Sequence, residues 1–301
     1  MLFQPDYLKA GDTIAIISTA RKISIAEIQP AIDIFESWGL KVRIGKTIGA
    51  AEHQFAGEDA WRAADFQDML DDDDIKAIVM GRGGYGTVRM MDKINYHHFV
   101  AHPKWIVGYS DITFLHNYIN QFFGIQTMHA TMPINFPTNT SEAIQSLRSA
   151  LFGEEQIIRF EGKTMNYSKE ITGEILGGNL SIYYAMLGTT NGFNLNDKIL
   201  MIEDLDEYLY HIDRMMMSMK LAGKLQGLKA LVVGGMSDMK DNAIPFGKTA
   251  EEIIKEHCSP YGYPIIFNAP IGHIANNHAI KLGNEITLRK SPDSNLIEMV
   301  V

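Results

Sequence analysis

Short apolar segments rich in β-branched residues recur along the first half of the chain, at 13–18, 41–44, 75–80 and in the run that ends at Gly108. Four to six residues with little polar alternation, bounded by turn formers, predict strands of a buried sheet. Between these runs the apolar period changes. Ile25, Ile28, Ile32, Phe35 and Trp38 recur at helical spacing over 24–38, and Gly39 stops them. Trp61, Ala64, Phe66, Met69 and Leu70 repeat the pattern over 59–70. A helix over 112–123, a strand over 125–130 and a helix over 141–151 continue the alternation. Strand and helix in turn predict an α/β layer with a mostly parallel sheet.

The alternation breaks at 153–168, an irregular connection holding one strand at 157–160. The domain boundary is placed here, giving an N-terminal α/β domain over 1–150, a linker over 151–168 and a C-terminal mixed α/β domain over 169–301. The second half restarts at 171–179 with the paired glycines Gly177 and Gly178. It continues with strands at 198–204, 230–235, 264–268, 285–288 and 296–301, and helices at 180–187, 207–220 and 249–257. Tyr208, Ile212, Met215 and Met219 form an apolar stripe that serves as core, or as part of an interface, rather than as a cofactor box.

Charge and composition narrow the function classes. The 301 residues carry 27 Lys+Arg against 36 Asp+Glu, a net charge of −9, with no basic block, so neither nucleic acid nor an anionic membrane is an expected partner. No apolar run reaches bilayer length, and the opening residues lack the basic and apolar regions of a secretory signal. A single cysteine, Cys258, precludes an internal disulfide, and a reducing cytoplasm is the expected compartment. Cys258 reads as a helix-end residue rather than as a nucleophile activated by its neighbour His257. The acidic run 71–74 lacks the spacing of a calcium loop and reads as a solvated turn. His97, His98 and His102 carry no signal, and no His, Cys, Asp or Glu group has metal-ligand spacing, so neither a metal nor a cofactor is expected.

The chemistry concentrates at strand ends. The third strand runs into Gly81-Arg-Gly-Gly-Tyr-Gly86, which is neither a Walker loop nor a dinucleotide fingerprint, and this weakens an oxidoreductase reading. Its backbone N–H groups with Arg82 suit a phosphate, a carboxylate or an oxyanion. The next strand ends in Gly108-Tyr-Ser-Asp, with a helix following at once, so Ser110 occupies a nucleophile-elbow position, although Ile112 stands where the usual second glycine would be. A helix cap is the alternative role for Ser110 or Asp111. Neighbouring strands would set Ser110 beside the glycine loop. His129 reads more readily as a core histidine than as a base. Glu203 lies at a strand end and His273 just past one, and the order Ser110, Glu203, His273 is that of α/β hydrolases. A cap for Glu203 and a loop hydrogen bond for His273 remain open on this order alone.

Taken together, the glycine loop with Arg89, the Gly108–Thr113 block, Gly177-Gly-Asn179, Glu203-Asp204 with Glu207 and Ile212-Asp-Arg214, and Gly272-His273 closely resemble the LD-carboxypeptidase family of serine peptidases. The resemblance runs from about residue 10 to the end. It implies two domains with the active site between them, a triad of Ser110, His273 and Glu203, and an oxyanion hole from the backbone N–H of Asp111 and Gly84, with the Asp111 side chain structural. It further implies a cytoplasmic homodimer that removes the terminal D-alanine from murein tetrapeptides during peptidoglycan recycling. Arg82, Gly83 and Tyr85 are the expected substrate contacts. A sister branch hydrolyses microcin-type peptidyl-nucleotide conjugates, with an aromatic residue stacking on adenine. No tryptophan lies between Ser110 and Glu203, although Tyr183 could stack. A non-catalytic peptide-binding module is the reading from a different class.

Overall fold

A computed structural model describes residues 2–167, 169–189, 193–291 and 296–301. In chain order the first unit holds β1 (Thr13–Ile17), α1 (Ile25–Ser37), β2 (Lys41–Ile44), α2 (Asp59–Asp71), β3 (Ile75–Met80), α3 (His97–Ala101), β4 (Trp105–Gly108), α4 (Thr113–Tyr118), β5 (Thr127–His129) and α5 (Ser141–Phe152). The second unit follows with β6 (Ile157–Phe160), β7 (Lys163–Met165), β8 (Ile171–Asn179), α6 (Leu180–Met186), β9 (Ile199–Leu205), α7 (Leu209–Leu221), β10 (Ala230–Ser237), α8 (Ala250–Cys258) and β11 (Ile265–Phe267). The chain then returns to the first unit as β12 (Ile280–Leu282) and ends in the second with β13 (Glu285–Lys290) and β14 (Ile297–Val300).

The first unit is built on a six-stranded sheet in the order β12-β5-β4-β3-β1-β2. Five strands are parallel, and β12 closes one edge antiparallel to β5. Ile14 and Ile16 enter a core with Ile28 and Phe35 of α1 and Leu147 of α5. The intervening Ala15 and Ile17 enter a second core with Phe66 and Leu70 of α2 and Leu115 of α4. Alternate residues of one strand thus serve two faces, which is why the run is apolar without a break. The order reverses between β1 and β3, and loops at the carboxyl ends of such strands form the natural ligand crevice.

The second unit carries an eight-stranded mixed sheet, β6-β14-β13-β8-β9-β10-β11-β7, whose central strands β8 to β11 are parallel. The methionine stripe of α7 lies in its core: Ile212, Met215, Met216 and Met219 have no exposed surface.

Three expectations need correction. The interval 151–168 contains the passage between units, at Glu155 and Gln156, but 157–160 and 163–165 are strands of the second sheet rather than linker. Residues 275–282 belong to the first unit, so the contiguous C-terminal domain does not hold. Three residues of β12 give no periodicity to read; only pairing with Thr127, Met128 and His129 makes them a strand. The helix expected over 112–123 also divides, with α4 ending at Tyr118 and a wider turn following over Ile119–Phe123.

Gly177, near the end of β8, allows an unusually close approach to β9. A Cβ there would lie 1.9 Å from the Met201 carbonyl oxygen, at a φ of +147°. Gly177→Ala is therefore expected to destabilise the protein by about 3 kcal/mol or more, measured by urea denaturation. A midpoint equal to that of the wild type would show that β8 and β9 can separate at little cost.

Candidate active site

In the first unit the site is built on the ends of β3 and β4. β4 finishes at Gly108, and Ser110 follows in the left-handed region at φ +64°. A non-glycine residue held there carries strain of about 1–3 kcal/mol, which neighbouring contacts must hold. His116, one turn into the following helix and fully buried, donates its Nε2 hydrogen to the Gly108 carbonyl at 2.8 Å. Burial pushes its imidazole down to about 3, so the ring stays neutral, with a single N–H to give. On the other side, buried Asp111 accepts the Thr87 N–H at 2.8 Å. Burial raises the Asp111 carboxyl, and the Thr87 hydrogen bonds oppose that rise.

Thr87 ends the glycine loop, so the Asp111 bond fastens the loop to the serine turn. Gly83 is brought against the nucleophile candidate: a Cβ there would lie 3.0 Å from Ser110 Cβ and 3.2 Å from its Oγ. Gly84, at φ +116°, lies under the stem of Arg21. Arg82 turns to the Lys22 carbonyl at 3.4 Å, and the half-exposed Tyr85 sits beside Phe55 with ring centres 6.2 Å apart.

Sequence reading missed the residue that anchors this loop. Arg62 of α2 has no exposed surface. Its guanidinium donates to the carbonyls of Gly86 at 2.9 Å and Gly57 at 3.2 Å, to the Thr19 carbonyl and to the Asp59 carboxylate. An arginine within an apolar helical stripe is the one signal the sequence offers. Its partners lie in loops up to 43 residues away.

In the second unit, Glu203 of β9 is buried without exposed surface and accepts the His273 Nδ1 hydrogen at 2.6 Å and the His273 backbone N–H at 3.2 Å. Gly272, at φ +94°, makes this approach possible, since a Cβ there would meet the Glu203 Oε2 at 2.6 Å. The Ser237 hydroxyl donates to the His273 carbonyl at 2.7 Å and pins the loop. Burial works against the imidazolium of His273. The charge and hydrogen bond of Glu203, with the charge of Asp204, outweigh burial, and the ring is raised above its ordinary value. Asp204 faces elsewhere: it accepts the Asn179 amide and the Ser181 N–H, both at 2.9 Å, at the start of α6. Burial and the neighbouring Glu203 push its carboxyl up to about 7.

Other candidates fall away or change. His129 is a buried residue of β5, edge-on to Tyr109. Cys258 ends α8, and burial pushes its thiol up to about 11, while His257 engages Asp213 at 2.8 Å. Tyr183 is buried against Phe193 and offers no face to an adenine. Asp73, His98 and His102, which are not spaced as metal ligands in the sequence, converge so that one ligand atom of each lies within 4.8 Å of the others. Asp73 precedes β3, whereas His98 lies in α3 and His102 between α3 and β4, so the group sits at the start of these strands, away from the glycine loop that follows β3.

The comparisons with known proteins agree with this two-part architecture. Residues 14–130 match the LD-carboxypeptidase N-terminal domain, and residues 172–288 match the LD-carboxypeptidase C-terminal domain. The probable murein peptide carboxypeptidase of Bacillus subtilis strain 168 is 30% identical, over 98% of this chain and 94% of its own. The murein tetrapeptide carboxypeptidase of Pseudomonas aeruginosa is 25% identical, over 91% of this chain and 92% of its own. The crystal structure of muramoyltetrapeptide carboxypeptidase from Oxalobacter formigenes superposes with a TM-score of 0.85 at 23% identity, over 96% of this chain and 98% of that one. Microcin C7 self immunity protein MccF, in complex with aspartyl sulfamoyl adenosine, superposes at 0.86 with 21% identity, over 100% and 98%. The two domains and their matches define a peptidase of the hydrolase class. The chain belongs to the LD-carboxypeptidase family.

Two outcomes follow. Because Glu203 favours the imidazolium, the stabilisation it gives His273 is fully present below about pH 6.5 and is lost as pH rises through the raised folded value. Glu203→Gln is expected to lower the His273 titration midpoint, followed by NMR of the ring protons; an unmoved midpoint would remove Glu203 as the cause. Arg62→Ala leaves the Gly86 and Thr19 carbonyls without their donor and is expected to cost about 3–5 kcal/mol in chemical denaturation. A loss below about 1 kcal/mol would mean that the loop is anchored by other contacts.

Proposed function

We propose that the protein is a serine L,D-carboxypeptidase that removes the terminal D-alanine from a murein tetrapeptide, with Ser110, His273 and Glu203 as its triad. The observation that carries this reading is the left-handed conformation of Ser110 on a strand-to-helix turn, with φ at +64°. That geometry thrusts a hydroxyl clear of the backbone and turns the following N–H groups toward a developing oxyanion. The 2.6 Å bond from His273 to Glu203 supports the assignment of base and orienting carboxylate, as does the similarity to murein tetrapeptide carboxypeptidases.

In this mechanism His273 takes the Ser110 proton as Oγ attacks the amide carbonyl, and the N–H groups of Asp111 and Gly84 bind the oxyanion. His273 then gives the proton to the departing D-alanine. Water attacks the acyl-enzyme with His273 again as base, and Ser110 is restored. Gly83 and Tyr85 border the substrate, and Arg82 answers its negative charge. The same reading takes the enzyme to be a cytoplasmic homodimer serving peptidoglycan recycling, as the family resemblance implies. Among the described residues no helix is long and apolar enough to cross a membrane.

The test is mass spectrometry of the protein incubated with L-Ala-γ-D-Glu-meso-diaminopimelyl-D-Ala. The wild type is expected to release one alanine, and Ser110→Ala to lose about 10⁴-fold or more in kcat. Near-normal turnover by Ser110→Ala would sink the triad. An intact tetrapeptide beside a cleaved peptidyl-nucleotide conjugate would transfer the protein to the microcin-immunity reading.

A further inference from the structure

A cavity of about 530 Å³ opens in the first unit, where β1, β2 and β3 end. It lies at the reversal of strand order between β1 and β3, where open α/β sheets bind ligands, and its size is that of a small-molecule pocket, roughly 300–1,000 Å³. Arg21, Lys22 and Arg82 line it, against one carboxylate, Glu27. Three cations gather in a chain whose net charge is −9.

Glu27 is already engaged. Its carboxylate accepts the Ser24 N–H at 2.8 Å and the Ser24 hydroxyl at 2.7 Å, closing the cap of α1. Among the described residues no carboxylate forms an ion pair with Arg21, Lys22 or Arg82, whereas Arg62 and Arg89 of the same unit both do. The Nε of Arg82 is buried without a hydrogen-bond partner in the described structure, and its Nη1 reaches only the Lys22 carbonyl at 3.4 Å. Burial and the facing Arg21 both disfavour its charge, and Glu27 favours it less strongly. A buried guanidinium donor without an acceptor costs free energy that an entering anion would return.

The glycine loop links this cavity to the serine. Gly83 touches Ser110, and the next residue, Gly84, touches the Arg21 stem; a Cβ at 84 would lie 2.2 Å from Arg21 Cδ. A substrate whose reacting carbonyl sits at Ser110 therefore has the cationic cavity one loop residue away. The cavity also exceeds what a terminal alanine requires. It suits the larger, retained part of the peptide, which in a murein tetrapeptide carries the glutamyl α-carboxylate and the free diaminopimelyl carboxylate.

We propose that the cavity lined by Arg21, Lys22 and Arg82 is a subsite for a carboxylate on the acyl portion of the peptide substrate. This rests on the carboxypeptidase reading above and adds to it where the substrate's anionic charge is held and by which side chains. Arg21 and Arg82 supply the charge-assisted hydrogen bonds, and Lys22 adds a third positive charge at the rim.

The experiment compares the tetrapeptide with an analogue in which the glutamyl and diaminopimelyl carboxylates are amides and the D-alanine carboxylate stays free. Wild type, Arg21→Gln and Arg82→Gln are assayed on both, with thermal melts confirming that each variant is folded. Amidation is expected to raise the wild-type KM about tenfold or more with a smaller change in kcat. Each variant is expected to raise KM for the acid by a similar factor and KM for the amide by much less. Equal effects of either variant on acid and amide, or no effect on either, would overturn the subsite. So would competition by a peptidyl-nucleotide conjugate that depends on Arg82 more than the peptide does, because the cavity would then be a phosphate site. Calorimetry with the tripeptide product and its amide, on Ser110→Ala protein, separates this proposal from the parent reading. If the wild type hydrolyses neither peptide, the carboxypeptidase reading fails, yet tripeptide binding weakened tenfold by amidation still supports the subsite. Equal binding of the two, or none, overturns it.

Discussion

A carboxylate with no exposed surface must have its charge answered inside the protein, and Glu203 is such a carboxylate. Its answer is the His273 ring and backbone N–H. Both require Gly272, whose missing Cβ leaves the room that the carboxylate occupies. Much of the second unit serves this contact. Gly177 lets β8 close on β9, which sets Asn179 opposite Glu203 in the sheet register. Asp204, one residue on, is turned away to the start of α6, so two adjacent acidic residues have separate tasks. The arrangement leaves an imidazole that is oriented and readily protonated, the state a general base passes through.

The first unit uses a different currency, backbone strain held by buried polar groups. Ser110 keeps its left-handed conformation because both flanks of the turn are tied: Gly108 through His116, and Asp111 through Thr87. Arg62 ties the glycine loop to the β1 loop by donating to carbonyls in each. These bonds lie in a dry environment, where a hydrogen bond is strong and an unmet polar group is costly. Arg62 is satisfied from every direction that the loops present, whereas Arg82, twenty residues later, is not. That contrast between two arginines of one unit separates a group that builds the site from one that has capacity left for a ligand.

Sequence patterning alone determined the α/β alternation and the two-part division. The reason is local: a strand buried on both faces is apolar throughout, a helix repeats every three to four residues, and a loop after a parallel strand must be glycine-rich or polar. Ser110 and the glycine loop were legible as strand-end features because each follows a parallel strand, whereas Glu203 lies within β9. Tertiary structure alone decided the rest. The return of 275–282 to the first sheet depends on three residues finding β5, and so short a segment has no period. The partners of Arg62, the burial of Tyr183 and the convergence of Asp73, His98 and His102 depend on residues distant in sequence. Periodicity reports which face of a segment is buried. It carries no information about which remote carbonyl, ring or charge that face will meet, because those meetings are fixed only when the strands find their order in the sheet.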